Sequence, residues 1–159
     1  MALLRRKLPP VGIRALTCRI LTDMSVTTVG DLMTTDLLTV APEDTLGEAA
    51  ERMDRRGVSS ALVSDFGRLI GILTERDLLR AVAGRTHSSD ARVREWMTRD
   101  PLTATPDGSA EEVARTMLER GFRHMPVVEG ERPIGVVSIR DVARWRIEGP
   151  EQVQADTST

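Results

Sequence analysis

The segment GILTERD at 71–77 returns 64 residues later as GVVSIRD at 135–141. Sliding residues 29–80 onto 93–144 needs no gap, and 19 of the 52 aligned positions are identical. Among the identities are Pro42/Pro106, Glu48/Glu112, Gly57/Gly121, Gly71/Gly135 and Asp77/Asp141. A unit of this size written only twice does not suit a solenoid, which needs about three or more stacked repeats to bury a continuous core. It suits one body with a pseudo-two-fold axis.

Each copy carries the same series of local signals. Val29, Leu32 and Met33, like Val93, Trp96 and Met97, predict a short helical face, followed by a strand at 37–40 or 102–104 that ends at Pro42 or Pro106. Thr45-Leu-Gly-Glu48 and Ser109-Ala-Glu-Glu112 read as capping boxes, each opening a helix. Leu46, Ala49, Ala50 and Met53 give the first of these a buried stripe. Ala110, Val113, Ala114, Met117 and Leu118 do the same for the second. Gly57 and Gly121 fall where a left-handed C-terminal cap belongs. Two strands joined by a tight turn follow, and the second strand runs into Thr74 or Ser138, each placed to cap a last helix at 75–83 or 139–147. The order per copy is helix, strand, helix, strand, strand, helix, an α/β (α+β) pattern. Residues 1–25 form a basic leader, with Arg5, Arg6, Lys7, Arg14 and Arg19 against Asp23. The leader reads as a disordered extension, an upstream start, or a transit-like or membrane-surface segment. The expected boundaries are 26–84 for the first repeat, 85–91 for a polar linker, 92–147 for the second repeat and 148–159 for a solvated tail.

The strand-to-helix corners hold the candidate chemistry. A helix N-terminus carries unpaired amides and partial positive charge, which suits phosphate, and the hydroxyls of Thr74 and Ser138 can donate to the same oxygens. Asp77 and Asp141, three residues on, can accept from the vicinal hydroxyls of a ribose. Ser/Thr-x-x-Asp is also an ordinary helix cap, so the residues alone leave both readings open.

The doubled pattern resembles a tandem pair of CBS domains, the Bateman module. The residues that carry the likeness are the Asp-Leu-Met-Thr and Glu-Trp-Met-Thr openings, Thr-x-x-Pro before the first long helix, Arg-His-Met-Pro-Val-Val at 123–128 and the two closing motifs. The resemblance implies two pseudo-symmetric β-α-β-β-α units packed through their sheets, with an adenosine-containing ligand in composite clefts between them. By that resemblance Ser138 and Asp141 join Thr28, Met33, Val58 and Ser59 in one cleft, and Thr74 and Asp77 join Met97, Phe122 and Arg123 in the other. Ser59 stands where the second copy has Arg123, and Ala61-Leu62 where it has Met125-Pro126. The clefts are therefore expected to be unequal, the Arg123 side preferring the more highly charged phosphate.

The expected function is a non-catalytic regulatory module sensing AMP, ADP, ATP or S-adenosylmethionine, with no required cofactor and no metal site. It would act in trans on an unknown protein target or through its own oligomer. The alternative is a structural homodimer without a ligand, held through helical faces that include Met53 and Met117. The chain shows no nucleophile beside a base, no Walker loop, and no partner for His87 or His124 in a zinc set. A formal net charge of −2 and a scarcity of aromatics argue against nucleic acid as a partner. The lone Cys18 and the absence of a long apolar run predict a cytoplasmic protein outside the membrane.

Overall fold

The computed structural model describes residues 27–148. The leader at 1–25 and the tail beyond residue 148 lie outside the described residues. The first copy forms α1 (Val29–Leu32), β1 (Thr39–Val40), α2 (Leu46–Arg56), β2 (Ser60–Asp65), β3 (Arg68–Thr74) and α3 (Glu75–Ala83). The second forms α4 (Val93–Trp96), β4 (Thr98–Arg99), α5 (Ala110–Arg120), β5 (His124–Glu129), β6 (Arg132–Ser138) and α6 (Ile139–Glu148).

The long helices start and stop where their caps dictate. At α2 the Glu48 N–H donates to the Thr45 hydroxyl at 3.1 Å, and the Glu48 carboxylate accepts the Thr45 N–H at 2.9 Å. At α5 only the first arm is present, from the Glu112 N–H to the Ser109 hydroxyl at 3.4 Å, so the second expected box is half-formed. Gly57 and Gly121 end the two helices at φ 61° and 73°, a left-handed conformation that costs a residue without Cβ little. Leu46, Ala49 and Met53 are buried beneath α2, as are Ala110, Val113 and Met117 beneath α5. Leu118, expected in that stripe, is 70% exposed instead, and Met53 and Met117 are core rather than interface.

Neither sequence copy closes on itself. The first core joins α2, β2 and β3 with Ala91, Val93, Trp96 and Met97 from the start of the second copy. The second joins α5, β5, β6 and α6 with Val29, Leu32 and Met33 from the start of the first. Backbone pairing follows the same exchange. β4 adds antiparallel to β3, giving a four-stranded sheet in the order β1-β2-β3-β4. Thr34 forms an antiparallel bridge to Val136 of β6, with N···O distances of 2.9 and 3.0 Å.

Two glycines make room for the crossing. A Cβ at Gly71 would meet the Met97 sulfur at 2.5 Å, and one at Gly135 would meet the Met33 sulfur at 2.5 Å. At each of these glycines the close approach is made by a methionine of the other copy. Between the sheets lie Leu62 of β2, Ile72 of β3 and Pro126 of β5. They are buried but alternate with the residues that face the helices, as a pleated strand requires.

The strand expected at 102–104 does not form. In the first copy the Leu62 N–H donates to the Leu38 carbonyl at 2.9 Å and starts a parallel ladder of β1 on β2. The equivalent of Leu62 is Pro126, which has no N–H to give. Only Ala104 pairs, as a parallel bridge to Val127. Leu38 is 9% exposed, whereas its identical counterpart Leu102 is 51% exposed.

Gly71→Ala should destabilise the fold by about 1–3 kcal/mol through overpacking, measured by urea unfolding. The second substitution Met97→Ala should recover part of that loss, and strict additivity of the two would refute the interlock. Thr45→Ala should cost about 1 kcal/mol, and Ser109→Ala less, because its cap has one weak arm.

Candidate functional site

A cavity of about 400 Å³ opens between the two halves, within the range of small-molecule sites. One wall is the corner from β3 to α3, with Ile72, Thr74, Arg76, Asp77 and Arg80. Facing it are Thr98, Asp100, Pro101 and Leu102 from the segment that Pro126 keeps out of the ladder. Phe122, Arg123 and His124, where the chain leaves α5 for β5, close the third side.

Asp77 is 5% exposed and oriented by its own corner. Its Oδ2 accepts from the Thr74 N–H at 2.9 Å and from the Thr74 hydroxyl at 2.7 Å. Among the described residues its Oδ1 meets only Arg80, at 3.6 Å, and the Arg80 side chain is 70% exposed. The cavity thus holds a fixed carboxylate with one oxygen available, an apolar surface from Ile72, Leu102 and Phe122, and guanidinium groups at its rim. Arg76 reaches the Gly121 carbonyl at 3.4 Å. Among the described residues Arg123 has no side-chain hydrogen bond or ion pair.

His124 lies half-buried, with Nε2 2.9 Å from the Ser59 hydroxyl. Burial first, and the neighbouring Arg123 second, hold its pKa below the ordinary imidazole value, partly offset by Asp141 and Glu75. It is therefore the neutral imidazole near pH 7. A neutral ring keeps one donor and one acceptor, so it can bind an oxygen without adding full charge.

A second cavity of about 450 Å³ is lined by Gly57, Ser59, Glu75, Arg123, His124, Ser138, Ile139 and Arg140. Ser59 and Arg123 are equivalent under the 64-residue offset, as are Glu75 and Ile139, so this cavity straddles the pseudo-two-fold axis.

The structure gathers Thr74, Asp77, Phe122 and Arg123 around the first cavity, while Met97 sits behind it against Gly71. Ser59 and Ser138 meet at the second, but Thr28, Met33, Val58 and Asp141 are not among the residues lining it. The Thr28 hydroxyl donates to Asp31 at 2.7 Å, Met33 covers Gly135, and Val58 packs on the first core. Asp141 Oδ2 accepts the Ser138 N–H at 2.8 Å and the Ser138 hydroxyl at 2.6 Å.

Sequence reasoning missed Asp100, Pro101 and Leu102, and it gave His124 no place in a ligand site. Pro126 opposite an expected strand was the available signal. Asp100 also adopts φ 44°, an uncommon conformation that no local pattern announced. Among the described residues no cluster of His, Cys, Asp and Glu is arranged to hold a metal ion. No helix among them is long and apolar enough to cross a membrane.

The CBS domain family matches residues 29–84 and 93–148. An uncharacterized 17.7 kDa protein of Acidianus ambivalens is 38% identical over 120 residues, covering 74% of this chain and 72% of that protein. A protein of Methanocaldococcus jannaschii is 33% identical over 114 residues, or 71% of this chain, which spans only 40% of that protein's length. The CBS domain pair of protein MJ0100, solved with 5′-methylthioadenosine and S-adenosyl-L-methionine, superposes with a TM-score of 0.72 at 27% identity, covering 77% of this chain and 98% of that one. CBSX2 in complex with AMP gives a TM-score of 0.65 at 30% identity, covering 76% and 96%. Two family matches on the two copies of the repeat, and whole-pair superpositions that span the crossing between them, show that the chain belongs to the CBS domain family as a tandem pair.

Proposed function

We propose that this chain is a non-catalytic regulatory module whose ligand is an adenosine compound carrying phosphate, bound in the first cavity. The observation that carries the reading is the meeting of three unlike groups in one cavity. Asp77 offers an oriented carboxylate oxygen, Ile72, Leu102 and Phe122 offer apolar faces, and Arg123 offers an unpaired guanidinium. A base stacks on the apolar faces, vicinal ribose hydroxyls donate to Asp77, and phosphate oxygens accept from Arg123, which suits bidentate contact. Thr74 lies at the same corner and can add a hydroxyl contact. The axial cavity has no counterpart of the apolar surface made by Ile72, Leu102 and Phe122, which supports unequal sites.

The adenosyl compounds bound by MJ0100 and the AMP bound by CBSX2 support this ligand class. S-adenosylmethionine fits the Arg123 rim less well, because its sulfonium centre is cationic. The module works without a cofactor or chemistry of its own, in a reducing cytoplasm, by acting in trans on a protein target or through its own assembly. Leu118 and Ile147, 70% and 84% exposed, favour pairing of two copies through α5 and α6. That pairing serves equally the second reading, a structural homodimer with empty clefts.

Thermal unfolding with AMP, ADP, ATP and S-adenosylmethionine separates the two. A ligand at a hundred times its Kd stabilises the fold by about 2.7 kcal/mol, a rise of roughly 5–10 °C at about 2–4 °C per kcal/mol. Asp77→Asn, which keeps an oxygen for the cap but loses the charge facing ribose, should weaken binding about tenfold with little effect on the unliganded melting temperature. No shift with any of the four at millimolar concentration would overturn the sensor reading in favour of the structural one.

A further inference from the structure

Leu118 belongs to an apolar groove of about 330 Å³ that the nucleotide reading does not use. Ala114 and Leu118 of α5 line it together with Ile139, Val142 and Trp145 of α6, and Glu111 stands where α5 begins. Leu118 and Trp145 are peculiar to the second copy, since the first has Asp54 and Ala81 at the equivalent positions. Trp145 adds an independent observation. Its indole N–H is buried and finds no acceptor among the described residues, although a buried Trp N–H ordinarily has one.

The pseudo-two-fold relation shows what lies over the same place in the first copy. There the residues before the opening helix run across the start of α2: the Leu46 N–H donates to the Ala91 carbonyl and the Gly47 N–H to the Ser88 carbonyl, both at 3.0 Å. The Thr86 N–H donates to the Ala81 carbonyl of α3, also at 3.0 Å. The first of these contacts recurs in the second copy, where the Ala110 N–H donates to the Thr27 carbonyl at 3.0 Å. Under the 64-residue offset Ser88 corresponds to Met24, Thr86 to Thr22 and Ala81 to Trp145. The leader therefore joins the fold beside Glu111, and the residues just before that junction correspond to a segment that touches the position of Trp145.

Within the leader, Ile13, Leu16, Ile20, Leu21 and Met24 recur at the spacing of one helical face. In helical form 13–24 would span about 17 Å, enough to cover the roughly 10 Å of helix from Glu111 to Leu118. The stretch 149–159 has Val153 as its one large apolar residue and cannot fill such a groove.

We propose that residues 13–24 dock in the α5–α6 groove of their own chain, apolar side inward, and that their backbone supplies the acceptor for the Trp145 N–H. A second copy can use the same face, but Thr27 ties the leader to the end of the groove, and a short tether gives an effective concentration on the order of millimolar. Pairing of two copies through α5 and α6 then requires the leader to leave first. The leader becomes a cover on the assembly surface, a role that does not depend on which ligand the first cavity holds.

Oxidative cross-linking of the full chain tests the docking. Cys18→Ser removes the lone native thiol, after which one cysteine is placed in the leader by Leu16→Cys or Ile20→Cys and the other by Leu118→Cys. Leu118 is 70% exposed, so its replacement leaves both core clusters intact. The expected result is a disulfide within one chain for at least one pair at micromolar protein, and none when Asp54→Cys replaces Leu118→Cys. In a Trp96→Phe background Trp145 is the only indole, and Leu16→Asp with Ile20→Asp should move its emission to longer wavelength. A disulfide between two chains would assign the groove to a second copy instead. No disulfide with either pair, equal yields at positions 118 and 54, or unchanged emission would also overturn the docking. The groove shares no residue with the first cavity, so each of these results leaves the nucleotide reading where it stands.

Discussion

Met33 and Met97 each sit on a glycine of the opposite copy, and the rest of the structure depends on that contact. Gly135 and Gly71 have no Cβ to hold the methionines off, so the opening segment of each copy can lie across the last strand of the other. Thr34 then bonds to Val136, and β4 to β3, which brings the two sheets into register about a common axis. The ligand cavities are a by-product of this crossing. Their walls come from one copy's β-to-α corner, from the other copy's exit into β5, and from the crossing segment between them. The core clusters confirm the mixing: Val93 completes the first and Val29 the second, each fully buried.

Symmetry is broken by a single missing hydrogen. Leu38 and Leu102 are the same residue at equivalent positions, yet one is core and the other lines a cavity. The difference is traceable to Leu62 against Pro126. A backbone N–H at Leu62 draws the preceding segment into a parallel ladder, while proline leaves its counterpart unpaired until Ala104. An apolar side chain that would have been spent on the core is released to face the cleft, beside Asp100 and Pro101. The asymmetry of the site is thus set in the sheet, several residues from any candidate ligand contact, and Arg123 in place of Ser59 adds charge to the side that Pro126 has already opened.

Much of this architecture was legible in the amino-acid order. The offset of 64, the capping signals and the 3.6-residue stripes placed the long helices and the two hairpins, because these are local and each is over-determined by its neighbours. The crossing was not legible. Nothing local tells whether Val29 and Met33 close on their own copy or on the other, since both cores offer equivalent surfaces. β4 and the lost strand at 102–104 failed for a related reason: pairing of two-residue segments is decided by the partner's donors, not by the segment's own pattern. Of the residues lining the first cavity, Thr74 and Asp77 were singled out by their repeated motif, and Phe122 and Arg123 by the family resemblance. Leu102 and His124 were not, because their exposure depends on Pro126 and on Ser59 across the axis.

The capping and ligand-binding readings of Asp77 need not compete, because the carboxylate has two oxygens. Oδ2 is committed to the Thr74 N–H and hydroxyl, which fixes the side chain's rotamer and closes the first turn of α3. Oδ1 is left with a long contact to an exposed arginine at the edge of the cavity. Folding has therefore already met the entropic cost of aiming the group, and a hydroxyl arriving at Oδ1 finds an acceptor that does not have to be ordered on binding. Asp141 is held in the same way at Ser138 but is not among the residues lining the axial cavity, so the two corners have different surroundings. What separates the two corners is what faces them: Leu102, released by a proline, and Arg123, which has no side-chain hydrogen bond or ion pair among the described residues.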